Sequence, residues 1–169
     1  MRASISLLRL SVAVAAVAAP LLALSQPLPH PYGAPVGVET ARKAASGALA
    51  EARKNGWTVA AAVVDTGGVL VYFERIDGTQ NGSSEVAIDK ARSAAAFKRP
   101  TKAFEDLVAG GKTNYLRLTG AVPIEGGIPL VVEGRVIGAI GVSGATSAQD
   151  GACARAGADA AGASAPEKK

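Results

Sequence analysis

The stretch Gly126–Asp150, GGIPLVVEGRVIGAIGVSGATSAQD, decides the fold. Leu130 to Val132 and Val136 to Val142 read as two apolar strands. Glu133-Gly134 between them is a two-residue turn, with a glycine able to take positive φ. Thr146 and Gln149 then have the spacing of a capping box and predict a helix from Thr146 to about Ala163. The backbone between Val142 and Thr146 carries almost no side chain, so another backbone or a ligand can approach it closely. This buried hairpin ends in a corner where a helix N-terminus offers N–H groups to an anion. Gly126, Gly127, Ser143, Gly144 and Thr146 are the candidate residues of that corner.

Upstream, the same patterning recurs. Trp57 to Val64 is an apolar run, Asp65-Thr66-Gly67-Gly68 a turn and Val69 to Phe73 a second strand, which together predict another hairpin. The small residues Ala60, Ala61 and Ala62 predict close packing of helices on that sheet. A helix precedes it over Val38 to Lys54, with Val38, Ala41, Ala45, Ala48, Leu49 and Ala52 as its apolar stripe and Asn55-Gly56 as its left-handed end. A second helix runs from a Ser83 or Ser84 cap to Phe97, with Val86, Ala87, Ala91, Ala94 and Ala95 as its apolar members. Lys98-Arg99-Pro100 stops it, because a residue before proline avoids the helical region. Thr101 is positioned to cap a short third helix, Lys102 to Val108. Lys112 to Glu125 is irregular, with Tyr115, Leu116 and Leu118 as anchors. Helix, hairpin, helices, hairpin, helix is the order of an α+β domain: a central antiparallel sheet covered by helices.

The chain has 169 residues, enough for one domain with a real core. Residues 1–25 read as a signal peptide: Arg2 and Arg9 precede an Ala/Val/Leu run, and Ala23 and Ser25 fit a small-x-small cleavage site before Gln26. The run is shorter than the ~20 residues of a membrane span and is broken by Pro20. Residues 26–37 form a proline-rich arm, 38–165 the domain and 166–169 a charged tail. Loss of Arg2 and Arg9 lowers the formal charge from +4 to +2, so the domain is nearly balanced. Scarce aromatics, and no Lys/Arg cluster outside the loose Lys98-Arg99 and Lys102 group, argue against nucleic acid as a partner. One cysteine, Cys153, makes no internal disulfide, and one histidine, His30, makes no zinc cluster.

The familiar catalytic patterns fail. Ser143 lies in G-V-S-G-A and has no base in reach of its sequence neighbourhood. Gly138, Gly141 and Gly144 are spaced within a strand and not in a turn that opens a helix, so they are no dinucleotide fingerprint. These failures favour a non-catalytic binding protein and leave an enzyme acting on a small anionic metabolite as the open alternative. Lys90, Arg92, Lys98 and Arg99 read either as a solvated face or as a cationic rim for ligand carboxylates, with Thr101, Thr113 and Ser143 as hydrogen-bond donors. His30 reads either as a solvated residue of the arm or as a metal ligand, with Tyr32, Tyr72, Tyr115 and Cys153 as the other candidate donors.

Six segments resemble the GlcG/HbpS-type haem-binding family, also described as the haem-degrading domain or DUF336 family. They are V-A-A-A-V-V-D-T-G-G at 59–68, F-E-R-I-D-G at 73–78 and D-K-A-R-S-A-A-A-F-K-R-P-T at 89–101, then G-G-I-P-L at 126–130, V-I-G-A-I-G-V-S-G-A at 136–145 and Q-D-G-A-C-A at 149–154. The resemblance spans roughly Val38 to Ala160. It implies a small profilin-like αβ domain, assembly into a homo-oligomer, and haem or a related tetrapyrrole as ligand in a setting of redox or haem stress. It also implies a periplasmic or secreted location. The candidate haem contacts are His30, Lys90, Arg92, Phe97, Thr101 and Thr113, with His30 as the candidate iron ligand. The alternative is an accessory protein or enzyme acting on a small organic acid such as glycolate, held in the corner named above.

Overall fold

The computed structural model describes residues 30–163; the expected signal peptide, the first residues of the arm and the charged tail lie outside them. Nine segments follow one another: α1 (Val38–Lys54), β1 (Ala60–Asp65), β2 (Leu70–Arg75), α2 (Gly82–Phe97), α3 (Lys102–Ala109), a 3-10 helix (Thr113–Arg117), β3 (Gly127–Val132), β4 (Arg135–Ser143) and α4 (Ser147–Ala160). The sheet has the order β2-β1-β4-β3 and every neighbouring pair is antiparallel. The fold is the α+β sheet under helices that the patterning predicts.

The two faces of the sheet have different cover. Ala61, Val63, Leu130, Ile140 and Val142 join Ala44, Ala48 and Leu49 of α1 and Cys153, Ala154 and Ala158 of α4 in the main core. Ala60, Ala62, Val64 and Ala139 face the other way and meet Ala87, Ala91, Ala94 and Ala95 of α2. Small residues let these layers come together closely. A methyl group on Gly157 would lie 2.6 Å from the Ala44 carbonyl oxygen, so α1 and α4 touch backbone to backbone.

Local sequence accounts for the turns and caps. Glu133 and Gly134 both take positive φ, 49° and 70°, as the two-residue hairpin turn requires. The Thr146 hydroxyl accepts from the Gln149 N–H and the Gln149 side chain accepts from the Thr146 N–H, so the capping box is complete. Other expectations fail for reasons of packing. Neither Ser83 nor Ser84 caps α2: the helix begins at Gly82 after Asn81, and Ser83 Oγ is buried without a hydrogen-bond partner among the described residues. Thr101 makes no cap either, because its hydroxyl is drawn to β3. Val38 and Val86, expected in apolar stripes, are exposed at the margins of their helices. Leu116 and Leu118 also face outward; of the three expected anchors Tyr115 packs inward, against Phe104 at 6.0 Å between ring centres, and the Val122 N–H donates to Ser93 Oγ at 3.0 Å.

Residues 30–36 are strapped to β4. Opposite β3 the register slips: Leu130 faces Gly138 while Val131 faces Val136, which leaves Ile137 as a bulge. β1 pairs with β4 only as far as Gly138, and the arm takes over from there. Val136 donates to Pro31 O at 2.9 Å, Gly33 donates to Val136 O at 2.8 Å and Val36 donates to Ile137 O at 2.7 Å. The Tyr32 hydroxyl lies 2.9 Å from Ala95 O and 3.2 Å from Ala96 O, carbonyls of the last turn of α2 that lack a helical partner.

Candidate functional site

The candidate residues fall into separate places. Lys90, Thr101 and the corner glycines meet at one end of the sheet, in a buried polar knot. Lys90 is not part of a cationic rim: its side chain is 1% exposed and its Nζ lies 2.8 Å from Asp150 Oδ2 and 3.1 Å from Val142 O. A lone buried ammonium is too costly to persist, so the helix turns it onto the carboxylate opposite. Asp150 Oδ1 accepts from the Ala145 N–H at 3.0 Å. Burial pushes the Asp150 carboxyl above its ordinary value, and Lys90 and the Ala145 N–H pull it back without cancelling the shift. Thr101 is fully buried and its hydroxyl accepts from the Gly127 N–H at 2.9 Å, which ties α3 to β3.

The corner expected to hold an anion is therefore filled from within. Asp150 supplies a negative charge at the N-terminus of α4 and accepts from the Ala145 N–H, while Thr146 and Gln149 cap each other's N–H groups. Gly126 and Gly127 are buried: a methyl on the first would lie 2.9 Å from Lys90 Nζ, and one on the second 2.3 Å from Lys90 O. Gly144 packs on the backbone of Thr58 and Val59, and Ser143 is buried as the last residue of β4. Glu125, beside the knot, pairs with Arg155 at 3.1 Å.

Phe97 and Thr113 belong to a neighbouring aromatic segment. Phe97 meets Phe104 edge to face at 5.1 Å, the Arg99 guanidinium lies over Phe104, and Thr113 is exposed at the start of the 3-10 helix. Cys153 is buried and its thiol is pushed up to about 11 by that burial. Among the described residues no three His, Cys, Asp or Glu side chains cluster to hold a metal.

His30 and Arg92 lie around the opposite end of the sheet. His30 Nδ1 is 3.1 Å from the carbonyl oxygen of Gly134. A carbonyl only accepts, so Nδ1 carries the proton in the neutral ring and Nε2 keeps its lone pair. Among the described residues Nε2 has no protein partner. Two residues on, Tyr32 reaches Ala96, with Lys98 Nζ over its ring at 4.8 Å. Ala96 in turn lines a hollow of about 230 Å³ with Arg92, Thr66, Gly67 and Gly68. Arg92 Nε donates to Gly68 O at 3.3 Å and Nη1 lies 3.5 Å from Asp89, while Asp65 Oδ1 accepts the N–H groups of Gly67 and Val69.

The HbpS-like family, described as "Haem degrading protein HbpS-like", matches residues 36–159. The chain belongs to this family. Its relatives include Protein GlcG of Escherichia coli K12, 44% identical over 93 residues that make up 55% of this chain and 69% of that protein. An uncharacterized 15.0 kDa protein of Citrobacter freundii is 35% identical over 121 residues, 69% of this chain and 85% of that one. Among solved structures, HbpS of Streptomyces reticuli in a double-mutant form superposes with a TM-score of 0.69 at 34% identity, covering 88% of this chain and 97% of that one. PduOC, solved as a heme complex, superposes with a TM-score of 0.67 at 27% identity, covering 75% and 94%. The HbpS-like fold and the six sequence segments thus agree.

Two features of the site escaped the sequence. Asp150 is one: it stands in the first turn of α4, and its partner Lys90 lies three residues from Ala87 and four from Ala94, on the stripe that faces the sheet. That spacing was the available signal. The hollow beside Arg92 is the other; it depends on how the turn at Thr66–Gly68 sits against α2, which no local pattern encodes.

Proposed function

We propose that this protein is an exported binding protein for haem or a related tetrapyrrole, working as a homo-oligomer in haem or redox stress outside the cytoplasm. The observation that carries the haem reading is His30. Its Nδ1–H is tied to a backbone carbonyl and, among the described residues, its Nε2 lone pair has no partner, the arrangement that orients an imidazole toward a metal. Likeness to a protein solved with heme and membership in a family described as haem-degrading support the same ligand. The signal-peptide pattern of residues 1–25 supports export. Haem bound here would be held by His30, with exposed cations such as Arg92 and Lys98 available to its propionates; the iron would supply any redox chemistry.

The organic-acid reading places its ligand at the corner of Ser143 to Thr146, where the Asp150 carboxylate accepts from the Ala145 N–H. Thermal unfolding distinguishes the two ligands. Haemin at ten times its dissociation constant should stabilise the full chain by about 1.4 kcal/mol, and glycolate should leave the midpoint unchanged. A midpoint raised by glycolate and not by haemin would reverse the assignment.

A further inference from the structure

We infer that the irregular segment between α3 and β3 is a docking surface for an anionic lipid bilayer, met at its headgroups and not spanned. The segment is pinned to the domain at three points. Tyr115 packs on Phe104, the Val122 N–H donates to Ser93 Oγ, and the Glu125 N–H donates to the Glu105 carboxylate. Between the first two pins the Leu118 N–H donates to Tyr115 O and the Ala121 N–H to Leu118 O, so residues 115–121 close into two successive tight turns. Those turns leave Leu116 and Leu118 on the outside: Leu116 is 60% exposed, and Leu118 and Ile124 are exposed as well. One exposed leucine needs no explanation. Two on a single pinned tip, held out by backbone hydrogen bonds, mark an apolar contact surface.

The charge around the tip selects the partner. From Leu107 to Ile124 the chain has no Asp or Glu, and its only charged residues are Lys112 and Arg117. Both are exposed, and among the described residues neither makes an ion pair. Arg99 adds a third cation, 5.6 Å over the Phe104 ring on which Tyr115 packs. The acids that flank the segment are engaged elsewhere: Asp106 with Lys102, Glu105 with the Glu125 N–H, and Glu125 with Arg155. A second copy related by a two-fold axis would set this cationic patch against itself. A bilayer with anionic headgroups answers both parts of the surface. The leucines enter the boundary between headgroups and acyl chains, while Lys112 and Arg117 stay at the level of the phosphates, each worth about a fivefold gain in affinity. The contact is peripheral: among the described residues no helix is long and apolar enough to cross a membrane.

The test is co-sedimentation of the full chain, without haemin, with vesicles of phosphatidylcholine containing about 30% phosphatidylglycerol, and with vesicles of phosphatidylcholine alone. Residues 1–25, where retained, contribute equally to wild type and to every variant. Wild type should bind the anionic vesicles, bind the neutral ones at least about tenfold more weakly, and be released by about 0.5 M salt. Leu116→Asp should weaken binding to anionic vesicles about tenfold or more, Arg117→Ser about fivefold, and Lys112→Ser with Arg117→Ser about 25-fold. Val69→Asp is the control: Val69 is as exposed as Leu116, at 64%, but lies in the turn between β1 and β2, and its loss should leave vesicle binding unchanged. Equal binding by wild type, Leu116→Asp and the double serine variant would overturn this surface, as would equal binding to the two kinds of vesicle. No binding by wild type would also overturn it, and a lower mass of Leu116→Asp in solution would then give the face to a second copy. The substituted side chains are exposed, and unchanged far-ultraviolet circular dichroism identifies variants that have kept their fold.

Discussion

Lys90→Met should cost about 3–5 kcal/mol of folding stability, a large part of the roughly 5–15 kcal/mol by which a domain is stable. Lys90 and Asp150 have side chains 1% and 3% exposed and meet at 2.8 Å, so removal of the ammonium strands a carboxylate in the interior. The effect carries a pH signature. Burial already raises the folded-state pKa of Asp150 above 3.8, and the hydrogen bond and charge of Lys90 are what restrain it. Without Lys90 it rises further. A carboxyl with a raised folded pKa takes up a proton on folding, so its adverse contribution is absent below 3.8 and grows as pH climbs toward the folded pKa. The deficit of Lys90→Met should therefore be larger at about pH 8 than at about pH 5. Adding Asp150→Leu should restore much of the loss, though the Ala145 N–H then lacks its acceptor. Urea unfolding at both pH values checks this. A single variant within about 1 kcal/mol of wild type would contradict the buried pair.

Gly141→Ala should be nearly as damaging, with an expected loss of about 3 kcal/mol or more from overpacking. Gly141 lies toward the C-terminal end of β4, opposite Ala62 of β1 and Gly127 of β3. A methyl group there would stand 2.0 Å from Ala87 O and 2.5 Å from Ala91 N. Both are backbone atoms of α2, so no side chain can swing aside; the helix must lift from the sheet along with Ala87, Ala91 and Lys90. Gly82, in the first turn of α2, has nothing within 4 Å of the same added atom. Gly82→Ala should therefore be neutral or stabilise by up to about 1 kcal/mol through the unfolded chain. Equal losses in the two variants would mean that α2 does not press on β4.

These two sites also show what a sequence discloses. The Glu133-Gly134 turn and the Thr146–Gln149 capping box are local chemistry, set by residues at most three apart, and both stand where the patterning puts them. Strand and helix order follow from short-range periodicity in the same way. The fate of Lys90 does not: its partner is 60 residues away, and only the close approach that Gly126, Gly127 and Gly141 permit brings α2 and α4 within reach. Read as one of four cations near residue 90, it suggests a rim; placed on the stripe of Ala87, Ala91 and Ala94, it is a core residue. Thr101 is a similar case, its hydroxyl drawn from helix capping to a β3 amide. His30 and Arg92 lie 62 positions apart in sequence, and the arm that carries His30 reaches α2 through the bulge at Ile137 and the Tyr32 hydroxyl, features of tertiary packing.

Haem binding at the His30 and Arg92 end of the sheet is the central claim, and absorption spectroscopy of the full chain with haemin tests it most directly. Wild type should give a saturable, red-shifted Soret band at micromolar haemin, and His30→Ala should give a different band position, because the imidazole Nε2 no longer reaches the iron. A wild-type titration indistinguishable from haemin in buffer would contradict the account.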